Sequence, residues 1–532
     1  MALPALGCQR MARENRSGQD ERRIAQRTAS HSFARRTMVV SQGQMNLLSR
    51  FIRRQHRAFG ASLAIYMLTS CGMPAASPPG PTFTIGAPVQ VWLTTGDQSR
   101  LLSHEADVHF REDSTWSLPM IVLDPASTHQ RMIGFGAAFT DASVYLIQEK
   151  MSPSQREALM QDLFSSTNGI GFSFARVAMG ASDFSQRHYS YDDVPAGASD
   201  TLLTSFSIDP DRADKLPVIK RALAINPRLT VVASPWSPPA WMKSSGSLVT
   251  GTLKPSAYSA FAQYFVKFIR AYAEEGVPIA AVTVQNEPAF EPADYPGMRL
   301  DAPARAAVIG GFVGPAFAQA GLKTQIWDWD HNWDAPQQAL SVLSDSAARQ
   351  YVQGIAWHCY AGDVAVQSAV HDAYPDKDAY FTECSGGDWA PDFAGTLKWD
   401  VAQLIIGSTR GWARGVAVWN LALDDHNGPH LGGCGNCRGV VTVNASGVVT
   451  RNAEYFSLAH ASKFVRPGAL RIASSPSQRG LENVAFRNAD DGSIVVIVLN
   501  PASAPQAFVV RASGSAFAYT LPAESVATFV WK

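Results

Sequence analysis

The chain has 532 residues, which is too long for one ordinary domain but suits a barrel with an appended domain. Apolar residues make up 46% of the chain and charged residues 17%, so we expect a globular protein with a large core. The formal net charge is zero, which argues against nucleic acid as a partner, and the 13 Trp residues suit stacking against sugar rings.

The first 86 residues lack the pattern of a folded domain. Residues 1–44 are rich in Arg, Gln and Ser, and we interpret them as a non-native or disordered extension that precedes a true start at Met45. Residues 45–71 contain a basic segment, the short apolar run ASLAIYML and then Leu-Thr-Ser-Cys, which resembles a bacterial lipobox. We expect export to the periplasm or cell surface, with a lipid anchor at Cys71 as the sole membrane contact. The alternative is an uncleaved tail with a chance cysteine.

Residues 72–86, rich in Pro, Gly and Ser, are typical of a linker, and residues 87–128 supply β-strands of a side domain. Within the latter, 89–110 alternates apolar and polar residues around a Gly-Asp turn, which predicts a β-hairpin.

Short apolar runs then alternate with helical stretches, of which 152–164, 209–224 and 255–275 are the clearest. Eight strands alternating with helices predict an α/β fold with a (β/α)₈ TIM barrel over residues 129–462. The predicted strands are 132–139, 171–179, 229–234, 279–284, 323–329, 354–360, 379–383 and 415–421.

Helical patterns cease after Phe464. The runs SIVVIVLN, QAFVVRAS and SVATFVWK, separated by turn residues, are typical of strands. We expect residues 463–532 and the N-terminal hairpin to build one β-sandwich beside the barrel.

Two glutamates end predicted core strands. The run Ala-Val-Thr-Val stops at Gln-Asn-Glu-Pro, which places Glu287 at the carboxyl end of the fourth strand, and the seventh strand ends at Glu383. Chemistry in parallel α/β folds takes place at that end. A partly buried carboxyl such as Glu287 can have a raised pKa and donate a proton, and an ionised Glu383 nearby raises that pKa further. Glycoside hydrolases typically use two carboxyl groups that flank the scissile glycosidic bond.

Other strand ends carry polar or aromatic side chains. The second strand contains Arg176 and is followed by Asp183, the third leads into Ser-Pro-Trp-Ser-Pro-Pro with Trp236, and the eighth carries Trp419 near its end. The fifth strand ends in Trp-Asp-Trp-Asp-His-Asn and the sixth in Trp-His-Cys-Tyr.

These motifs together resemble glycoside hydrolase family 30, the glucosylceramidase-like retaining β-glycosidases, over most of the chain from about Val89. The resemblance implies the same barrel with a split β-domain. It also implies Glu287 as the acid/base and Glu383 as the nucleophile, with neither metal nor cofactor.

The resemblance carries further roles to matching residues. The substrate-binding residues that it implies are Asp183, Trp236, Asn286 and Trp419. The supporting residues are Arg176, which braces the nucleophile, His358, and Tyr360, which bonds the nucleophile. A structural Arg176–Asp183 salt bridge is the alternative for that pair, and Trp241 fits a core position equally well.

The cysteines leave several possibilities open. Cys434 and Cys437 could form a redox pair, half of a zinc site or a local disulfide, and export favours a disulfide or a structural thiol pair. Cys359 and Cys384 each end a predicted core strand.

Two other classes of function compete with a glycosidase. A metal hydrolase could use Asp328, Asp330, His331 and His358 as ligands, although no HExxH-type spacing supports them. A non-catalytic carbohydrate-binding lipoprotein is the second competitor, and the presence of both glutamates argues against it.

We expect an exo-acting β-glucosidase for glucosides such as glucosylceramide, and therefore a glucoside, glycolipid or glucan as the binding partner. Endo-β-1,6-glucanase action is the alternative, and β-xylosidase and β-fucosidase activities also occur in the family. Cys359 stands where mammalian-type lysosomal enzymes have Trp, which together with GGCGNCRGVVTV favours the microbial members.

Overall fold

The structure is a computed structural model that describes residues 84–532. The predicted extension 1–44, the lipobox segment with Cys71 and most of the linker lie outside the described residues. Within the described chain, no helix combines the length and the apolar character that crossing a bilayer requires.

Eight parallel strands close into a barrel, each pairing with its chain neighbour and the last pairing with the first. The predicted (β/α)₈ barrel is therefore confirmed, with strand bounds shifted by a few residues. The strands are β1 Gly134–Phe139, β2 Phe174–Met179, β3 Thr230–Pro235, β4 Ile279–Thr283, β5 Gln325–Asn332, β6 Val352–His358, β7 Asp378–Glu383 and β8 Ala413–Asn420.

Helices connect the strands and cover the barrel. The helix Pro153–Phe164 begins with a capping box in which Ser152 and Gln155 exchange side-chain to backbone hydrogen bonds. In Tyr258–Glu274, Phe261, Phe265 and Ile269 lie on one buried face, which accounts for the predicted amphipathic pattern. The other α-helices are Asp141–Tyr145, Lys215–Ile225, Ala302–Val308, Gly314–Ala320, Pro336–Ser344, Ser346–Arg349, Val366–Ala373, Phe393–Trp399, Ser408–Arg410 and Ala453–Ser462.

Shorter segments complete the connections. The 3₁₀ turns are Asp209–Asp211, Ala240–Met242 and Pro255–Ala257, and the π-helical segments are Leu146–Lys150, Ile309–Val313 and Asp400–Gly407. The small strands near the barrel mouth are Gly386–Gly387, Ala422–Leu423, Cys437–Arg438, Val441–Val443 and Val449–Arg451.

The β-domain combines strands from both ends of the described chain, as predicted. The N-terminal strand Pro88–Thr95 pairs antiparallel with both Ser103–His109 and the last strand, Ser525–Trp531. The rings of Phe517 and Phe529 lie 5.3 Å apart although their strands are distant in the sheet order, so the sheet folds over an apolar core. The remaining strands are Arg111–Glu112, Met120–Arg131, Leu470–Ser474, Glu482–Arg487, Ile494–Asn500, Gln506–Ala512 and Ser515–Leu521.

A buried histidine joins the last helix to this domain. The ring nitrogens of His460 lie 2.8 Å from the hydroxyls of Thr528 and Thr94. The Thr528 hydroxyl donates to the His460 carbonyl, so it accepts from Nδ1–H, and Nε2 accepts from Thr94. The neutral His460 ring therefore hydrogen-bonds the last helix of the barrel to the strands Pro88–Thr95 and Ser525–Trp531.

Candidate active site

Glu287 and Glu383 face each other at the carboxyl end of the barrel. Glu287 follows β4 and Glu383 ends β7, and their nearest carboxylate oxygens lie within 4.8 Å of each other and of a ring nitrogen of His358. Both side chains are largely buried, with exposed fractions of 15% and 7%. The backbone of Glu287 is left-handed, with φ of 45°, a strained conformation that is common at functional sites. The barrel therefore brings together the two glutamates that the sequence singled out.

Arg176 of β2 is fully buried beneath the two glutamates. Its Nη1 donates to Glu383 Oε2 at 2.5 Å, and its Nη2 donates to Asn286 Oδ1 and to Asp330 Oδ2 at 2.7 Å. The alternative of an Arg176–Asp183 salt bridge is therefore wrong, because the guanidinium donates to these three residues and, through Nε, to Ser234. Its forked geometry fixes the position of the Glu383 carboxylate.

Asp330, near the end of β5, is a central acceptor that the sequence analysis considered only as a metal ligand. Its Oδ2 accepts from Arg176, Ser234 and Thr283, and its Oδ1 accepts from Thr382 at 2.7 Å. Burial raises its pKa, but the charge of Arg176 and the other donors outweigh burial and hold the pKa well below its usual range. A permanently ionised Asp330 balances the buried cation.

His358 bridges the acid pair and Asp330. Its Nδ1 lies 3.2 Å from Glu287 Oε1, and its Nε2 lies 3.0 Å from Asp330 Oδ1. Burial lowers the pKa of His358, but the neighbouring carboxylates of Glu383, Asp330 and Glu287 outweigh it and raise the pKa to about 9. The protonated ring can donate to both acceptors at once.

Tyr360, just beyond β6, donates from its hydroxyl to Glu383 Oε1 at 3.0 Å. Since Arg176 binds the other carboxylate oxygen, both oxygens of Glu383 receive a hydrogen bond. This pattern holds the carboxylate in one orientation.

The predicted sugar-binding residues line the same mouth. The rings of Trp236 and Trp419 are stacked with centroids 4.8 Å apart, and the Arg176 guanidinium lies 4.7 Å from the Trp236 ring centroid. Asp183 is buried, and within residues 84–532 its Oδ1 has no hydrogen-bond partner. Burial and the charges of the two glutamates raise the pKa of Asp183 to about 8. A neutral carboxyl whose Oδ1 has no partner among the described residues can bind a hydroxyl.

Trp241 takes the core position that the sequence left open. Its side chain is buried, and its Nε1 donates to Asp192 Oδ2 at 2.9 Å.

The expected raised pKa of Glu287 is wrong for this structure. Burial raises it, but the hydrogen bond from His358 and the charges of His331 and His358 outweigh burial and lower the pKa below 4.5. Burial raises the pKa of Glu383 above 4.5, despite the opposing charges of His358 and Arg176, and Glu287 raises it further. The pair therefore holds one shared proton over a pH range on both sides of 4.5.

We expect a bell-shaped pH dependence of kcat/KM if the active form carries that single proton. The acidic limb should follow the lowered pKa of the pair, where the second proton binds, and the alkaline limb the raised pKa, where the shared proton is lost. His358→Gln should move both limbs to higher pH, because the His358 cation lowers the pKa of both glutamates. His426→Gln is the control, since its side chain is 90% exposed. Limbs that stay in place in His358→Gln would contradict this account.

Two disulfides lie beside the mouth. Cys434 and Cys437 are joined, which is the local disulfide among the predicted alternatives. Cys359 and Cys384 are also joined, a pairing that the sequence analysis missed. The sequence did contain a signal for this pairing, because Cys359 and Cys384 directly follow β6 and β7, which are adjacent strands of the barrel. This second disulfide links the segments that carry Tyr360 and Glu383.

The proposed metal-ligand set is not assembled. Asp328 binds Arg305 Nε at 2.8 Å and Asp330 binds Arg176, so both carboxylates are engaged in ion pairs. Among the residues that the structure describes, the ligand-type groups that meet within 4.8 Å are Glu287, His358 and Glu383.

Comparison with protein families gives two matches. Residues 132–465 match the glycosyl hydrolase family 30 TIM-barrel domain, and residues 468–529 match the glycosyl hydrolase family 30 beta sandwich domain.

Individual relatives agree with these matches. An endo-1,6-beta-D-glucanase of Aspergillus fumigatus is 37% identical over 444 residues, which cover 79% of this chain and 88% of that protein. The lysosomal acid glucosylceramidase of Mus musculus is 32% identical, with 78% and 83% covered. A solved endo-beta1,6-glucanase structure superposes with a TM-score of 0.77 at 35% identity, covering 84% of this chain and 99% of that one. Because both its barrel and its β-domain match, the chain belongs to glycosyl hydrolase family 30 and is a glycoside hydrolase, as the sequence predicts.

Proposed function

We propose that the enzyme is a retaining endo-β-1,6-glucanase. The observation that carries the reaction type is the separation of the two carboxylates, whose nearest oxygens lie within 4.8 Å. Retaining enzymes have carboxyl groups about 5–5.5 Å apart, whereas inverting enzymes need about 6.5–9.5 Å to admit a water molecule.

The proposed reaction has two displacements. In the first, the proton that the pair shares lies on Glu287 in the active form and passes to the glycosidic oxygen, while a carboxylate oxygen of the ionised Glu383 attacks the anomeric carbon. The bond to the leaving group breaks and a glycosyl ester forms. In the second, ionised Glu287 takes a proton from water, the water oxygen attacks the anomeric carbon, and Glu383 leaves as a carboxylate.

The surrounding residues support this sequence of steps. Arg176 and Tyr360 hold the two oxygens of Glu383, so that one oxygen points at the anomeric carbon in a fixed orientation. Asn286 uses its Oδ1 to accept from Arg176, which leaves its amide NH₂ to donate to the sugar 2-hydroxyl. That contact strengthens as the oxocarbenium-like transition state forms.

The relatives support the choice of substrate. Three proteins named as endo-1,6-beta-D-glucanases are 36–38% identical to this chain, and the mouse lysosomal acid glucosylceramidase is 32% identical. They favour the glucanase alternative over the exo-acting glucosylceramidase that the sequence analysis placed first. Cys359 also favours the glucanase. It forms a disulfide with Cys384, and the lysosomal type is expected to have Trp at its position.

A substrate comparison tests the proposal. The purified chain is incubated with β-1,6-glucan, glucosylceramide and p-nitrophenyl β-glucoside, with Glu287→Gln and Glu383→Gln as controls. We expect β-1,6-glucan to be cleaved fastest and to yield oligosaccharides before glucose, because an endo enzyme cuts within the chain. Hydrolysis of glucosylceramide without cleavage of the glucan, or release of glucose alone, would overturn the proposal.

A further inference from the structure

A cavity of about 530 Å³ adjoins the catalytic carboxylates between the segments that follow β6 and β7. Its wall includes the Cys359–Cys384 disulfide and Tyr360. The Tyr360 hydroxyl also donates to Glu383, so one side chain in the cavity wall contacts the reaction centre. The two displacements described above make no use of it.

Two tryptophans form the open side of this cavity. Trp389 is 54% exposed and Trp399 is 42% exposed, which is unusual for the largest apolar side chain. Exposed aromatic rings beside a catalytic centre are typical of a binding surface rather than of a core.

Trp389 is held firmly although it faces solvent. Its ring packs against Gly387, where an added Cβ would lie 2.1 Å from the indole, so glycine is required there. The strand Gly386–Gly387 pairs with Cys437–Arg438, and the Asp388 amide donates to the Asn436 carbonyl at 2.9 Å. The backbone segment that carries the ring is therefore ordered before any ligand arrives, which lowers the entropy cost of binding.

Trp399 is fixed from the other side of the cavity. It ends the helix Phe393–Trp399, and Thr396 of that helix donates to the Ala390 carbonyl in the Trp389 segment at 3.1 Å. The two tryptophans thus belong to one connected unit.

The polar groups of the cavity suit a neutral ligand. Thr396 and Ser385 supply hydroxyl oxygens as acceptors, since their hydrogens donate to the Ala390 and Gly386 carbonyls, and Asp400 is a buried carboxyl in the wall. Burial and the nearby Glu454 raise the pKa of Asp400 well above its usual value, so this group is an uncharged donor and acceptor. Aromatic faces combined with uncharged hydrogen-bonding groups match the C–H faces and hydroxyls of a sugar.

We propose that this cavity binds glucosyl units of the glucan chain beyond the unit held at Glu287 and Glu383, with Trp389 and Trp399 as stacking platforms. This inference rests on the proposed glucanase function and extends it. Such a subsite gives a long chain binding energy that a single glucoside cannot use, which favours polymeric substrates.

The test compares long and short substrates in tryptophan variants. Trp389→Ala, Trp399→Ala and the double variant are assayed on β-1,6-glucan and on p-nitrophenyl β-glucoside. We expect the ratio of kcat/KM for the glucan to kcat/KM for the aryl glucoside to fall about tenfold in the double variant. Trp389→Phe keeps an aromatic face, so it should retain more of the wild-type ratio than Trp389→Ala does. Leu202→Ala, at a residue that is 78% exposed, is the control for surface change.

A binding measurement separates this inference from the proposed function. Titration of a long β-1,6-gluco-oligosaccharide into Glu383→Gln, with and without the two tryptophan substitutions, does not depend on turnover. Lower affinity without the tryptophans supports the cavity even if another β-glucan proves to be the better substrate. Equal affinity overturns the inference, as does an equal loss of kcat/KM on both substrates. A long-chain alkyl glucoside is assayed in the same variants. If the tryptophan substitutions lower kcat/KM for this substrate alone, the occupant is a lipid chain and the inference is overturned.

Discussion

Replacing Glu383 with alanine should lower kcat on an aryl β-glucoside by at least about 10⁴-fold, because the first displacement then has no attacking group. Added azide should restore turnover and yield an α-glucosyl azide, since the small anion enters from the side that Glu383 occupied. Glu287→Ala should instead yield the β-glucosyl azide, because azide then attacks the glycosyl ester from the opposite face. Chromatography and NMR of the products distinguish the two anomers.

This pair of variants assigns the two roles independently of rate. If both variants give the same anomer, or if neither loses activity, then the assignment of nucleophile and acid is wrong. Glu275→Ala is the matched control, because Glu275 binds Arg212 and Lys220 on the outside of the barrel. It should keep normal turnover and give no azide product.

Arg176→Met should destabilise the folded protein by about 3–5 kcal/mol, because it leaves the buried carboxylates of Asp330 and Glu383 without their cation. It should also lower kcat strongly, since Glu383 loses the donor that orients one of its oxygens. Thermal unfolding and the activity of the folded fraction measure the two effects separately.

Arg305→Met is the control variant for Arg176→Met. Arg305 is equally buried, and it pairs with Asp328 rather than with either catalytic glutamate. We expect a similar loss of stability there, with kcat per folded molecule close to normal. Equal losses of kcat in both variants would show that Arg176 acts through stability alone.

The fold and the two glutamates that meet at the barrel mouth could be located from the sequence, because both depend on local signals. A β-branched run that stops at Glu287-Pro288, and another that stops at Glu383, mark strand ends without any knowledge of tertiary contacts. A barrel then places those ends on one rim by topology alone.

Properties that depend on neighbours remote in the chain were harder to predict. The lowered pKa of Glu287 depends on His358, 71 residues away. The role of Asp330 depends on Arg176, 154 residues away. The exposure of Trp389 and Trp399 was not predicted, because it is decided by packing around Gly387 and the helix Phe393–Trp399.

The pairing of Pro88–Thr95 with Ser525–Trp531 affects how the protein can be synthesised. During translation, the first of these strands emerges long before its partner exists, and one edge keeps unsatisfied backbone groups until Ser525–Trp531 has been synthesised. A nascent chain is therefore vulnerable to edge-to-edge aggregation throughout elongation. Recombinant versions that end before Ser525 should be recovered mainly as insoluble material, even though every residue of the barrel is retained.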